Sequence, residues 1–155
     1  MKVAPNEKVA EPPSKTRLRL WLRLLKLTGG IESELRRRLR DAHDFTLPRF
    51  DVMAALARHP DGLKMSELSA YLRVSNGNVT GIVDRLTEER LALRVAIPGD
   101  RRAQLARLTP QGIKVFADLA AEHERWIDEL LGHLDPAEAR ELIALLDRSL
   151  SEDDE

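Results

Sequence analysis

The sequence predicts a mainly α-helical chain with one β-hairpin set among its helices, and three observations lead there. Apolar residues recur every three or four positions over most of the chain. One stretch, residues 91–97, switches to a period of two and is followed by the turn signal Pro98-Gly99-Asp100. Just ahead of it, two short helical patterns are joined only through Arg73-Val74, which forces a steep crossing.

Residues 1–15 mix Pro5, Pro12 and Pro13 with small and charged residues, a composition that buries too little surface to offset ordering entropy, so a mobile arm is expected. From Thr16, the leucine and isoleucine stripe Leu20, Leu24, Leu27, Ile31, Leu35 and Leu39, broadened by Trp21, Leu22 and Leu25, predicts a long helix over 16–45 that is too apolar to stand alone. Gly29-Gly30 weakens its middle by roughly 1 kcal/mol per glycine, so a kink or break is expected there. Thr46 caps the next helix, with Pro48 in its first turn and Phe50, Met53, Ala54, Leu56 and Ala57 on its buried face; His59-Pro60-Asp61-Gly62 ends it. Ser66 is the expected N-cap of a short helix carrying Leu68 and Leu72, and Ser75 that of the following one, where Val79, Ile82, Val83 and Leu86 share a face. Leu91, Leu93, Val95 and Ile97 alternate with Ala92, Arg94 and Ala96 as a strand, and 103–108 returns as its partner. Thr109-Pro110 opens a long helix through Val115, Phe116, Leu119, Trp126, Ile127, Leu130 and Leu131. Asp135-Pro136-Ala137-Glu138 starts the last one with a cap and a glutamate three residues on.

A length of 155 residues with 43% hydrophobic content suits one domain with an ordinary core. The absence of cysteine excludes disulfides, thiolate metal sites and thiol redox sensing. No apolar run approaches the roughly 20 residues of a membrane span, and the N-terminus lacks a signal-peptide core, so no membrane partner and a cytoplasmic location are expected. The formal net charge of −1 hides a strong asymmetry: residues 1–45 hold 11 Lys/Arg against 6 Asp/Glu, residues 46–109 hold 10 against 7, and residues 110–155 hold 4 against 13. The cationic surface is therefore concentrated away from the acidic C-terminal helices, which leaves room for a polyanionic partner.

Residue types at fixed spacing sharpen this. Asp84-Arg85-Leu86 lies in the second of the two close helices, Asp100-Arg101-Arg102 at the hairpin tip, and Leu108-Thr109-Pro110-Gln111-Gly112 at the exit from the hairpin. With the element order, these motifs make 17–150 resemble the MarR family of winged helix-turn-helix transcriptional regulators. Glu89-Arg90-Leu91 departs from the family pattern, which more often has glycine before the strand. The implied organisation is an arm (1–15), an N-terminal dimerisation helix (16–45), a winged helix-turn-helix lobe with a small β-hairpin wing (46–109), C-terminal dimerisation helices (110–150) and an acidic tail (151–155).

A recognition helix enters the major groove with its N-terminal residues toward base edges, so Ser75, Asn76, Asn78 and Thr80 are the candidates for base or phosphate contact. Gly77 and Gly81 leave room for close approach, Ser66 joins the DNA-contacting set, and Arg85 suits a phosphate or an ion pair. Arg101 and Arg102 reach toward a minor groove, with Asp100 expected to brace the tip by pairing with one of them. Each has a purely local alternative: Ser75 as a cap only, Asn78 closing that cap, Arg101-Arg102 as a solvated turn.

One recognition helix covers one half-site, so double-stranded DNA requires two copies, and the apolar stripes of the terminal helices are what a homodimer buries. The family resemblance also implies a small aromatic or anionic effector bound between the dimer layer and the DNA-binding lobe. Trp21, Leu24, Phe45, Phe50, Met53 and Trp126 are candidates for its cavity, with His43, Arg49 or Asp51 as polar anchors; core packing is the alternative for each. Residues 45–53 together with 75–80 resemble the branch controlling aromatic acid breakdown, some of whose members answer to a CoA thioester such as para-coumaroyl-CoA. On that resemblance Arg36, Arg37, Arg38 and Arg40 are candidates for the CoA phosphates, or else ion-pair partners of the acidic C-terminal helices.

No cofactor or metal is expected. His43, His59, His123 and His133 have no ligand spacing, no glycine-rich phosphate loop is present, and no nucleophile elbow is found, so the chain is not read as an enzyme. The competing reading is a winged-helix protein-interaction adaptor without sequence-specific DNA binding.

Overall fold

The computed structural model describes residues 11–72 and 76–150, with backbone alone at Asn76 and Gly77. The chain divides into two compact units, Met1–Glu34 and Leu35–Glu155. The described part of the first is the N-terminal portion of a 31-residue helix, α1 (Pro13–His43). α1 starts at Pro13, ahead of the expected Thr16, because proline fits a first turn whose N–H groups have no helical acceptor. It also runs through Gly29-Gly30 without a break. Glycine weakens a helix but can still donate and accept its hydrogen bonds, so the expected break does not form.

In the second unit the core gathers around α2 (Leu47–Arg58), which buries Leu47, Phe50, Val52, Met53, Ala55 and Leu56. Thr46 caps it by accepting the Arg49 N–H, with a proline in the first turn. α2 packs against α3 (Met65–Leu72), α4 (Asn76–Glu88) and α5 (Pro110–Leu131). Leu39 of α1, Leu68 of α3, Val79, Val83 and Leu86 of α4, and Leu119 and Trp126 of α5 are buried with it. Side chains of this size each contribute about 1.5–3 kcal/mol when fully buried.

The sheet has three antiparallel strands in the order β1 (Leu63–Lys64), β3 (Asp100–Leu108), β2 (Ala92–Ile97). β1 pairs Leu63 with Ala106, and β2 pairs Ala92 with Leu108 and Val95 with Leu105. The return strand begins at Asp100, earlier than expected, since Gly99 turns the chain with φ +86°, the value a type II turn requires at its third position. The buried face of the hairpin carries Ala92, Ala106 and Leu108, whereas Leu93, Val95 and Leu105 are only half-buried. Period two was legible, but within β2 it is Ala92 and not Leu93, Val95 or Ile97 that is buried.

Ser66 is not an N-cap. β1 leads straight into α3, so Lys64 holds the cap position, and Glu67 accepts its N–H at 2.8 Å. Between α4 and β2, Arg90 N–H reaches the Thr87 carbonyl and Leu91 N–H that of Leu86, a Schellman closure with Arg90 at φ +61°. Gly112 is required where α5 crosses this turn, because a Cβ there would sit 1.9 Å from the Leu91 carbonyl oxygen. Thr109 ties the junction, donating to the Arg90 carbonyl and accepting from Gly112 N–H.

α6 (Pro136–Leu150) begins with a complete capping box: Asp135 accepts the Ala137 and Glu138 N–H groups, and Glu138 accepts that of Asp135. Among the described residues, α6 buries none of its own side chains. No helix among them is long and apolar enough to cross a membrane.

Candidate functional site

The outward face of the α3–α4 pair is built by what α4 turns inward. Val79, Val83 and Leu86 are buried, which leaves Asn78, Thr80, Gly81, Asp84 and Arg85 exposed on the opposite side. A Cβ on Gly81 would meet nothing within 4 Å, so the helix surface there is open to close approach. Ser75 lies outside the described residues, as does the side chain of Asn76, and Gly77 is described by its backbone path alone.

The wing is fixed to this helix by a contact that sequence reading missed. Arg94 of β2 donates to Asp84 of α4 at 2.6 Å and to Gln104 of β3 at 3.2 Å. The signal available was a charged residue two positions after Ala92, on the face of the strand that Ala92 turns into the core. At the tip, Asp100 does not pair with an arginine side chain; its Oδ1 accepts the backbone N–H groups of Arg102 and Ala103 at 3.0 and 3.3 Å. With the carboxylate engaged by its own turn, Arg101 and Arg102 are exposed and without an ion pair among the described residues. Ser66, Lys64, Arg94, Asp100, Arg102 and Gln104 line one hollow of about 460 Å³ between the start of α3 and the wing. Three residues of the expected DNA-binding set, Ser66, Asp100 and Arg102, are therefore brought together with Lys64, which was not among them.

Arg85 is 63% exposed and held loosely: its Nε donates to Glu89 at 3.0 Å, and its Nη1 forms a longer ion pair with Glu88 at 3.8 Å. Glu89 also receives Arg49 from α2.

The residues expected around an effector are distributed over both units, and those of the second unit fall in different surroundings. Trp21 and Leu24 belong to the first unit, where Trp21 is exposed. Met53 is fully enclosed, and Phe50 is buried between Phe116, 5.5 Å between ring centroids, and His123, stacked at 4.6 Å. Trp126 is buried beneath Arg38, 6.0 Å from the ring, and beside His43. Arg38 pairs with Glu129 at 2.6 Å and His43 with Glu122, so this part of α1 meets the acidic face of α5. Asp51 is exposed. Phe45 and Arg36, by contrast, share a cleft of about 240 Å³ with Arg40, Asp44, Thr46, Leu47 and Pro48. Its walls are apolar with two guanidinium groups at the edge, a surface suited to an aromatic or acyl body carrying an anion. Burial lowers the pKa of His123 below the ordinary 6.5. Among the described residues no group of His, Asp or Glu is arranged to hold a metal ion.

Comparison with known proteins places this geometry. A family model described as MarR family matches residues 43–103, from the end of α1 through the wing tip. The HTH-type transcriptional regulator MhqR of Bacillus subtilis (strain 168) is 26% identical over 131 residues, 84% of this chain and 89% of its own length. Sco3205, a MarR family transcriptional regulator from Streptomyces coelicolor solved in complex with DNA, shares the fold with a TM-score of 0.76 at 23% identity, covering 95% of this chain and 92% of that one. The crystal structure of a MarR family transcriptional regulator from Silicibacter pomeroyi is 35% identical with a TM-score of 0.77, covering 92% of this chain and 98% of that one. With 35% identity over an alignment that takes in nearly the whole of both chains, the chain belongs to the MarR family of transcriptional regulators.

Proposed function

We propose that the chain is a homodimeric, sequence-specific DNA-binding repressor, released from a palindromic operator by a small aromatic effector, with an aromatic acyl-CoA thioester such as para-coumaroyl-CoA as the effector class. The observation that carries the DNA reading is the exposed face of α4, Asn78, Thr80 and Arg85, held to a wing whose Arg101 and Arg102 have no ion pair among the described residues. Base edges take the amide and hydroxyl groups, and a narrow minor groove takes the guanidinium groups. That Sco3205, on the same fold, was solved in complex with DNA supports a DNA partner.

Two copies follow from the terminal helices. Leu18, Leu20, Trp21, Leu22 and Leu25 of α1 and Ile143, Leu145 and Leu150 of α6 are exposed, a density of large apolar side chains that a second copy would cover. For the effector, the Arg36–Arg40–Phe45 cleft offers an aromatic wall and two cations for a carboxylate or the phosphates of CoA.

The test is fluorescence anisotropy of a duplex from the chain's own upstream region against a scrambled duplex, over a salt series, with and without para-coumaroyl-CoA, other aromatic acyl-CoAs and the free acids. Specific binding abolished by a thioester and not by its acid supports the full reading. Specific binding indifferent to every compound retains the DNA reader and removes the ligand. Absence of sequence preference, with affinity insensitive to salt, favours the interaction adaptor, because phosphate contacts release counterions and apolar interfaces do not.

A further inference from the structure

Glu89 stands between two guanidinium groups of very different burial. Arg49 of α2, only 12% exposed, donates to its Oε2, while Arg85 of α4, 63% exposed, donates to its Oε1. Arg49 also lies 4.1 Å over the ring of Phe45. Phe45 in turn forms part of the wall of the cleft that carries Arg36 and Arg40. A continuous set of contacts therefore runs from the cleft to the recognition helix: Phe45, Arg49, Glu89, Arg85. The Nε of Arg49 is buried and makes no hydrogen bond, so this guanidinium has donor capacity that its present partners leave unused.

The ratio of charges decides what this set can do. One carboxylate faces two cations. While Arg49 holds Glu89, Arg85 can leave for a DNA phosphate without stranding the carboxylate, because the buried partner stays. Once Arg49 is drawn away, Arg85 is the remaining cation on Glu89. Its transfer to DNA would then leave an unpaired carboxylate facing a phosphate, and Arg85 stays where it is.

We propose that Glu89 couples the cleft to DNA binding. An anionic aromatic ligand seated against Phe45 moves that ring from beneath Arg49 and recruits the Arg49 guanidinium, including its unused Nε donor. Glu89 then holds Arg85 off the phosphate backbone. This rests on the effector reading above for its trigger, but the coupling of Arg49, Glu89 and Arg85 is present without any ligand.

The experiment uses the full chain and the upstream duplex, with anisotropy read over a salt series. Arg49→Met retains length and apolar contact with Phe45 while removing the charge. It is expected to bind DNA roughly fivefold more weakly or worse, the range of ordinary coupling between sites. The slope of log affinity against log salt should become shallower by about one phosphate contact. Adding Glu89→Gln to Arg49→Met should restore affinity and slope, since Arg85 then keeps only its longer, exposed ion pair with Glu88. In an Arg85→Ala background, Arg49→Met should make no difference. If Arg49 only props the fold, the double variant binds no better than Arg49→Met, and the coupling is overturned. Should Arg49→Met fail to fold, Glu89→Gln alone decides: because Arg85 already reaches the phosphate in the ligand-free wild type, affinity at or above the wild-type value with an unchanged slope is expected, and weaker binding with a shallower slope overturns the proposal. Calorimetry with para-coumaroyl-CoA separates the two readings. A thioester that does not bind the wild-type chain removes that effector while the ligand-free rescue still stands or falls by itself; one that binds wild type and Glu89→Gln alike, yet releases DNA only from wild type, supports both.

Discussion

At Arg90 the chain adopts φ +61° to close α4 and enter the hairpin, a conformation that costs a side-chain-bearing residue roughly 1 kcal/mol or more. The Schellman hydrogen bonds on both sides hold it there, and Leu86 and Leu91, the apolar pair of such a motif, are both buried. Arg90→Gly removes the steric cost but returns part of it through the greater freedom of glycine in the unfolded chain. A net gain of about 0.5 kcal/mol is expected, read as a higher urea midpoint at unchanged slope. His123 gives a second prediction at this scale. Desolvation lowers its pKa, so the folded chain binds its proton less readily than the unfolded chain does. Its contribution to stability is therefore complete above the ordinary histidine value of 6.5 and is lost as pH falls through the lowered folded value. Its ring already stacks on Phe50, so His123→Phe preserves the contact and should flatten that part of the pH profile of the unfolding midpoint. A profile identical to wild type would assign the acid sensitivity to other groups.

Between elements, the contact of Asp84 with Arg94 joins α4 to the wing. With Asp84 56% exposed, its contribution to global stability is modest, about 1 kcal/mol or less. Its effect on position is larger, because it fixes where Arg101 and Arg102 stand relative to α4. Asp84→Asn should leave the thermal midpoint within a few degrees of wild type and weaken operator binding by roughly tenfold, about 1.4 kcal/mol. A variant that loses stability and DNA binding together would make the contact structural only. The same scale explains what sequence alone could reveal. The caps at Thr46, Thr109 and Asp135 were legible because each is decided within three residues by a side chain reaching a nearby N–H. Leu63-Lys64 was not legible as a strand, since only its pairing with Ala106 and Leu105 makes it one, and that pairing displaces Ser66 from the cap. The Asp84–Arg94 contact and the burial of Ala92 in preference to Leu93 likewise depend on partners far along the chain. Of the aromatic residues expected around one ligand, Phe50 and Trp126 are buried, Phe45 lines the cleft and Trp21 is exposed, a division set by packing that composition does not encode.

Over the whole molecule, the excess of arginine before residue 45 and the excess of acid after residue 110 meet where Arg38 pairs with Glu129 and His43 with Glu122. The apolar surface is divided differently: the core gathers on α2, whereas α6 ends with Leu142, Ile143, Leu145, Leu146 and Leu150 exposed and with no buried residue among those described. Covering side chains of this size is worth roughly 1.5–3 kcal/mol each, enough for a handful from each of two copies to offset the cost of association. Because α6 adds nothing buried to the core of its own chain, the helix is separable from the fold and not from the proposed dimer. Truncation after Leu134 should therefore leave the winged lobe with its helical circular dichroism while light scattering reports the mass of one chain. The double substitution Ile143→Glu and Leu146→Glu, which keeps the helix and its capping box, should do the same, since charges buried at a two-fold contact are opposed by their own copies. Operator affinity should fall steeply in both variants, because two linked recognition helices gain from the second half-site what one alone cannot. A truncated chain that still scatters as a dimer would assign the contact to α1 or to the lobe, and a monomer that binds the full operator as tightly as wild type would remove the two-copy requirement from the proposed function.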